Sequence, residues 1–372
     1  MNYAAKVMKK FGLGDAATGM LAPFSGDRSP LPAPEEAASL LQELRPDAGR
    51  SALRETPLSE AEPFCGVDVI IPVYNAGAFL RPCLDSVFSQ KTLFPFRVIA
   101  VDDGSTDGSG AVLDAWADPR LTVIHQENRG AAAARNRGID ASRSRWLFFL
   151  DADDLMSPDC LQTLLDKTVE AGAILAEAAY CTIDDTGKKL TDCPHEAGPM
   201  DPRRCTGYPP GKLWDRSLFR DVCFPAGYCF EDSVLAQLLL PLAERSGLPV
   251  LGISSESFRY RMHRSSAGHT SRGSEKSLDS LWVTLSLWKD RQALGLPSDQ
   301  GYYEYLLNML VLTRHRTEAL GDGAGKAVFA LQREFLLAEF SSFSTERRAF
   351  RMLEQAVRDG DYGRYRLFCS LH

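Results

Sequence analysis

The amino-acid sequence predicts an α/β fold, with an open, mostly parallel central sheet flanked by helices, an N-terminal extension before it and a helical C-terminal part after it. Three observations predict this. Between residues 67 and 151, apolar runs rich in β-branched and aromatic residues alternate four times with segments whose apolar residues fall at helical spacing. That is the pattern of buried strands joined by right-handed helical crossovers. Polar clusters follow three of these runs directly, where an open sheet presents its strand ends to a crevice. From residue 277 onward, apolar residues keep three-and-four spacing with few strand signals.

The first strand is VDVIIPVY from Val67, a near-continuous apolar run. Phe79, Leu80, Cys83, Leu84, Val87 and Phe88 then recur at helical spacing, and FRVIAV forms a second strand ending at Asp102. A helix over Gly110 to Trp116, a strand over LTVIHQ, a helix over Ala131 to Ala141 and the strand WLFFL ending at Asp151 complete the alternation. PDCLQTLLDKTVEAG predicts another helix and ILAEAAYCTI another strand, whereas the Gly, Pro and Cys-rich span Asp184 to Gly211 reads as irregular. A helix is also expected over VLAQLLLPLAE, which follows Asp232 and Ser233. In the C-terminal part, SLDSLWVTLSLWKDRQAL, YYEYLLNMLVLTRHRTEAL and AVFALQREFLLAEF read as helices. Ahead of the first strand, Gly14 to Pro63 is rich in Ala, Pro, Gly and acidic residues, with a short helix over Pro34 to Leu44. The expected organisation is an N-terminal extension over 1–64, a core domain over 65–270 and a helical region over 271–372.

Composition narrows the function classes. Hydrophobic residues make up 44% of the 372 and charged residues 24%, which argues against a disordered or membrane-embedded chain. The net charge of −7 argues against a nucleic-acid partner and for a small ligand. The nine cysteines are scattered and include no C-x-x-C pair, which fits free thiols in a reducing compartment. Cys193, His195 and Cys205 match no standard zinc spacing and read as loop residues. With no long apolar run and no signal-peptide region, the expected location is cytoplasmic. The opening MNYAAKVMKKFGLG sets Lys6, Lys9 and Lys10 beside Val7, Met8 and Phe11. It is either a packed terminal helix or a peripheral contact with the inner face of a membrane.

The chemistry sits in the polar clusters: Asn75 after the first strand, DDGSTD from Asp102 to Asp107, and DADD from Asp151 to Asp154. Strand ends of an open sheet converge, so these distant carboxylates can meet in one crevice. In DADD an extended backbone turns Asp151 and Asp153 to the same side, spaced to share a divalent ion or to hold an ion and a ribose hydroxyl. The other reading of a D-x-D triplet is a solvated turn. DDGSTDGS likewise reads as a capped βα turn, as a recognition site for a base and a ribose, or as both. NRGAAAARNRG, which begins at Asn128, sets Arg129, Arg135 and Arg137 beside small residues, and a guanidinium there can stack on a base or pair with a phosphate, or lie solvated on a helix packed against the sheet. Glu231 and Asp232 either cap the helix that follows or supply a base.

Taken in order, VIIPVYN, VDDGSTDGS, NRGAAAARNRGI, FLDADD with PDCL, KLWDRSLF and FED resemble the family 2 glycosyltransferases, across residues 67 to 265. The resemblance implies the glycosyltransferase A fold, a nucleotide-sugar donor, most often a UDP-sugar, and inversion at the anomeric carbon. It also implies that Pro72, Tyr74 and Asn75 border the nucleoside, that Asp103 beside Asp102 binds the base, and that Asn128 and Arg135 belong to the donor site. Asp151, Asp153 and Asp154 match the family's metal and ribose motif, with Asp153 as the favoured ligand of Mn2+ or Mg2+. Glu231 and Asp232 match its acidic pair, the second residue being the catalytic base, and Arg261, His263, Arg264 and Ser265 match a segment able to form a lid. The expected activity is sugar transfer to a glycan, lipid-linked or protein acceptor in cell-surface polysaccharide or glycoconjugate synthesis. A non-catalytic nucleotide-sugar-binding module and a nucleotidyltransferase are the competing readings. A dinucleotide-dependent oxidoreductase is disfavoured because YNAGAF stands where a G-x-G-x-x-G loop would be required.

Overall fold

The computed structural model describes residues 30–61, 66–263 and 273–372, so the basic N-terminal segment lies outside the described residues. Two compact units emerge. One comprises the described residues of Gly49–Ser266 and Ser286–Leu296, the other those of Met1–Ala48, Ala267–Leu285 and Pro297–His372.

The first unit is built on one sheet. Its strands are β1 (Val67–Val73), β2 (Phe96–Asp102), β3 (Leu121–His125), β4 (Trp146–Phe149), β5 (Leu155–Met156), β6 (Leu175–Ile183), β7 (Lys189–Cys193), β8 (Gly198–Pro199), β9 (Lys212–Asp215) and β10 (Val250–Arg261). Their order is β3-β2-β1-β4-β9-β6-β10-β5, with β7 paired to β6 and β8 to β10. β3, β2, β1 and β4 are mutually parallel, which brings the ends of β1, β2 and β4 to one edge. β9 runs antiparallel between β4 and β6, so the far half of the sheet is mixed. The core is continuous through β1, where Val67, Val69, Ile71 and Val73 are fully buried together with Leu80, Leu84 and Val87 of the helix Leu80–Phe88.

Asp68 interrupts that apolar run yet is fully buried. Its carboxylate accepts from the Arg97 guanidinium at 2.9 and 3.1 Å and from the amides of Arg143 and Ser144 at 2.7 and 2.8 Å. A buried carboxylate is tolerable only with such pairing. Here it ties the start of β1 to the turn before β4.

Three expectations need revision. The span Asp184 to Gly211 is not wholly irregular, because β7 and β8 lie in it. The turn into β7 is set by Asp184, whose Oδ1 accepts from the amides of Thr186 and Lys188, and by Gly187 at φ 86°. β7 is exposed at four of its five positions, so it carries no apolar alternation to read. The helix expected after Asp232 is interrupted by a widened π turn over Leu235–Leu239 and continues as an α-helix over Leu240–Arg245. Finally, the compact units do not follow the expected boundaries. Ala52 is buried in the sheet-bearing unit, the amide of Leu58 donates to the Arg220 carbonyl at 2.7 Å, and Asp290 accepts from the Ser51 hydroxyl at 2.6 Å and the Ala52 amide at 2.7 Å.

The second unit is helical, with helices at Pro34–Leu44, Gln300–Thr317, Gly321–Phe340, Arg351–Asp359 and Tyr362–Leu371. Phe329 and Tyr365 stack at 4.4 Å, and the buried Tyr365 hydroxyl donates to the Leu310 carbonyl at 3.0 Å. Arg45 and Asp279 form a paired contact at 2.9 and 3.0 Å. No described helix is long and apolar enough to cross a membrane.

The helix Ala131–Ala141 lies so close to β1 that a Cβ on Gly138 would stand 2.4 Å from Ile70 Cγ2. Overpacking of this kind costs roughly 1–3 kcal/mol. Gly138→Ala should therefore lower unfolding free energy in urea by that amount, and in combination with Ile70→Ala, which removes Cγ2, the two changes should cost less than the sum of each alone.

Candidate active site

The crevice at the ends of β1, β2 and β4 begins with three loops tied to one another. Asn75 takes φ 47°, a left-handed conformation that Asn tolerates better than most residues. In that pose its Oδ1 accepts from the Thr106 amide at 2.8 Å, and its own amide donates to Ser105 Oγ at 3.0 Å. A Cβ on Gly104 would lie 2.9 Å from the Asn128 nitrogen, so only glycine lets the loops after β2 and β3 approach this closely. Asp103 completes the tie: Oδ1 accepts from the Gln126 side chain at 2.7 Å and the Arg129 amide at 2.8 Å, and Oδ2 from the Gly130 amide at 2.8 Å. Asp103 thus shapes the loop, with spare acceptor capacity at Oδ2. Asp102 accepts from the Ser105 amide and meets His125 at 2.9 Å, while the other nitrogen of that ring meets Asp114 at 3.0 Å. Beside these loops Tyr74 is 53% exposed, Pro72 is half-buried and Asn128 is exposed, a set of surfaces open to a flat ligand.

Arg135 stands at the centre. It is 6% exposed and holds two carboxylates from opposite ends of the motif set, donating from Nη1 to Glu231 at 2.7 Å and from Nη2 to Asp151 at 2.9 Å. Its guanidinium lies over the Phe224 ring at 5.5 Å, and Asn136, one residue on, holds Phe224 through both its amide and its carbonyl at 2.8 and 2.7 Å. Burial alone would lower the pKa of Arg135, but Asp151 and Glu231 outweigh it and raise it. The cation is therefore permanent.

Next to Arg135 the acidic run is crowded. Asp154 is fully buried, with one oxygen on the Arg261 amide at 2.7 Å and the other without a hydrogen-bond partner. Burial, then Asp151 and Asp153, push its pKa well up, and burial followed by Asp151 raises that of Asp153. Asp153 stays partly exposed and meets His263 Nε2 at 2.6 Å. Asp151 is also partly exposed, and the Cys83 thiol lies beneath its carbonyl at 3.6 Å.

Of the four residues expected to form a lid, Arg261 closes β10 and is buried, donating to the carbonyls of Asp153, Asp184 and Asp185 at 2.8, 2.9 and 3.0 Å. It is a fixed brace, since each of those bonds would be lost on moving. His263 is tucked against Phe79 at 5.2 Å, not displayed on the surface. Arg264 and Ser265 lie outside the described residues. Asp232 is half-buried in the turn that leads into Leu235–Leu239.

Sequence reasoning passed over Gln126, Asn136, Phe79, Phe224 and His125 as site residues. Phe79 was legible only as a helical apolar position, and nothing in the sequence placed Phe224 under an arginine. Among the described residues, no three His, Cys, Asp or Glu side chains gather as a complete metal ligand set. None of the described cysteines is in a disulfide.

Residues 68–230 match the model of glycosyl transferase family 2. Glycosyltransferase GlyG of Streptococcus pneumoniae is 30% identical over 227 residues, which is 55% of this chain and 73% of GlyG. Glycosyltransferase GlyA of the same organism is 29% identical over 292 residues, 72% of this chain but 40% of GlyA, so the chain spans less than half of that relative. Among solved structures, S. aureus TarS 1–349 in complex with UDP-GlcNAc shares the fold, with a TM-score of 0.64 at 18% identity over 81% of this chain and 89% of that one.

Two outcomes follow from the geometry. Removing one partner of a buried ion pair costs roughly 3–5 kcal/mol, so Arg135→Ala should lose stability on that scale in chemical denaturation, and a loss under about 1 kcal/mol would contradict the network described. Asp102 first and then Asp114 raise the pKa of His125 above its ordinary 6.5. Its stabilisation is therefore full below that value and is lost as pH rises through the raised one. The melting temperature of His125→Gln should fall below that of the parent protein by more at about pH 5.5 than at about pH 9, by a small amount because the ring is solvated.

Proposed function

The chain belongs to glycosyl transferase family 2, and on that premise we propose that it transfers a sugar from a nucleotide diphosphate sugar to an acceptor hydroxyl, with inversion at the anomeric carbon. The observation that carries this reading is the single guanidinium of Arg135 shared by Asp151 and Glu231, which joins the end of β4 to the acidic pair. Donor and acceptor chemistry then occupy one crevice. UDP is the nucleotide we favour, a choice supported by the UDP-GlcNAc complex of TarS.

In this reading Tyr74, Pro72 and the loop built on Asp102, Asp103 and Asn75 receive the nucleoside, with Asn128 beside them. Asp232 takes the proton of the acceptor hydroxyl. The acceptor oxygen forms its bond to the anomeric carbon on the face opposite the diphosphate, and the carbon–oxygen bond to the diphosphate breaks with its electron pair leaving on the nucleotide diphosphate. Glu231, held by Arg135, fixes the backbone from which Asp232 projects.

A divalent cation, Mn2+ or Mg2+, belongs to the proposal, and the donor set fits one. Asp153 and Asp151 are the accessible carboxylates of a run whose negative charges crowd one another. Such ions commonly use one or two protein carboxylates and complete their shell with phosphate oxygens. Asp154 does not fit as a ligand, because it is enclosed and bound to the Arg261 amide. When bound, the cation would neutralise charge on the departing diphosphate. The setting we favour is cell-surface polysaccharide or glycoconjugate synthesis, in the cytoplasm or at the inner face of a membrane, with a glycan, lipid-linked or protein acceptor.

A panel of nucleotide sugars with manganese, scored for free nucleotide diphosphate, identifies the donor. Asp232→Asn should lower turnover by about 100-fold or more while donor affinity by calorimetry is unchanged. Unaltered turnover would remove Asp232 from the role of base. A binding module would release no nucleotide diphosphate, and a nucleotidyltransferase would release none from this panel but would form pyrophosphate when given a nucleoside triphosphate and a sugar phosphate.

A further inference from the structure

The Asp232 turn is held from a distant part of the chain. Beyond it the amide of Leu235 donates to the Asp232 carbonyl at 2.9 Å, and the chain widens into the π turn Leu235–Leu239, in which the amide of Leu240 reaches back to the Leu235 carbonyl. The cause is legible. Pro241 has no N–H, so the α-helical donor to the Gln237 carbonyl is missing. Arg291 donates to that carbonyl from Nη1 at 2.7 Å, and Arg291 is 3% exposed. π turns of this kind are rare and collect at functional sites.

The segment that carries Arg291 is itself fixed. Asp290 accepts from the Ser51 hydroxyl and the Ala52 amide, and Arg245, at the end of the same broken helix, donates to the Leu294 carbonyl at 2.7 Å. Residues 286–296 therefore brace both ends of Leu235–Arg245 within the sheet-bearing unit.

We propose that Arg291 is a positioning residue for sugar transfer: by holding the Gln237 carbonyl, to which Pro241 cannot donate, it keeps the turn open and sets the direction of the Asp232 carboxylate. The proposal rests on the reading of Asp232 as base. In this proposal Arg291 acts through the turn, by way of its bond to the Gln237 carbonyl. Because a displacement of about 1 Å at a reacting group can cost on the order of 100-fold in rate, a shift of the turn has a measurable kinetic signature.

The test uses the full chain and the donor found in the nucleotide-sugar panel. Arg291→Met should lower kcat by roughly 10- to 100-fold with donor affinity unchanged, and Arg291→Lys, which retains a donor, should recover part of the loss. In an Asp232→Asn background Arg291→Met should cause no further fall, since no base remains to be positioned. Pro241→Ala, which restores the amide, should leave the melting temperature equal or higher while lowering kcat, and it stands as the test if Arg291→Met fails to fold. The proposal is overturned if Arg291→Met and Pro241→Ala both leave kcat unchanged, if donor affinity falls in parallel with kcat, or if the Arg291 effect persists in full without Asp232. Should Asp232→Asn itself keep turnover, the base assignment fails first, an outcome distinct from an inactive Asp232→Asn beside fully active Arg291 and Pro241 variants.

Discussion

One buried guanidinium organises the crevice. Arg135 lies on the helix Ala131–Ala141, against the first two strands, and it satisfies Asp151 at the end of β4 and Glu231 from a loop almost a hundred positions later. Two carboxylates brought together without that cation would repel one another in a medium poorer in water than bulk solvent. Phe224 beneath the guanidinium and Asn136 behind Phe224 keep its plane fixed. Small residues make this possible, because Gly138 and its alanine neighbours let the helix sink onto Ile70 and carry Arg135 inward.

The same economy governs the loops at the ends of β1, β2 and β3. Three loops from neighbouring parallel strands are sewn together by short polar side chains, Asn75 to Thr106, Ser105 to Asn75, and Asp103 to the amides after β3. These bonds leave Tyr74 exposed, and Asp151 and Asp153 keep partly open side chains. Burial divides the acidic run. Asp154 is enclosed and anchors the end of β10, whereas Asp151 and Asp153 keep an accessible face. Their closeness in sequence conceals that difference.

Much of this architecture was legible from residue patterns. The apolar runs of β1, β2, β3 and β4 named the parallel half of the sheet, and the resemblance to the glycosyltransferases drew attention to Asp151, Arg135 and Glu231. What stayed hidden depends on tertiary partners. β7 is exposed, and β5 and β8 are two residues each, so none has an apolar pattern to display. Asp68 reads as a charge in an apolar strand until Arg97 and two amides are seen around it. The residues 49–61 and 286–296 look like extension and C-terminal helix in composition, yet Ser51, Ala52 and Asp290 join them to the sheet-bearing unit. The break at Pro241 was visible as a proline in a helical segment, but its partner Arg291 lies 54 positions away.

The account stands on Asp151 and Glu231 sharing one cation, and a double-mutant cycle on unfolding free energy measures that directly. With Asp151→Asn, Glu231→Gln and the pair, the result predicted is non-additivity of about 1 kcal/mol or more, as found for groups joined in one ion-pair network. Additivity within about 0.3–0.5 kcal/mol, the behaviour of independent sites, would contradict it.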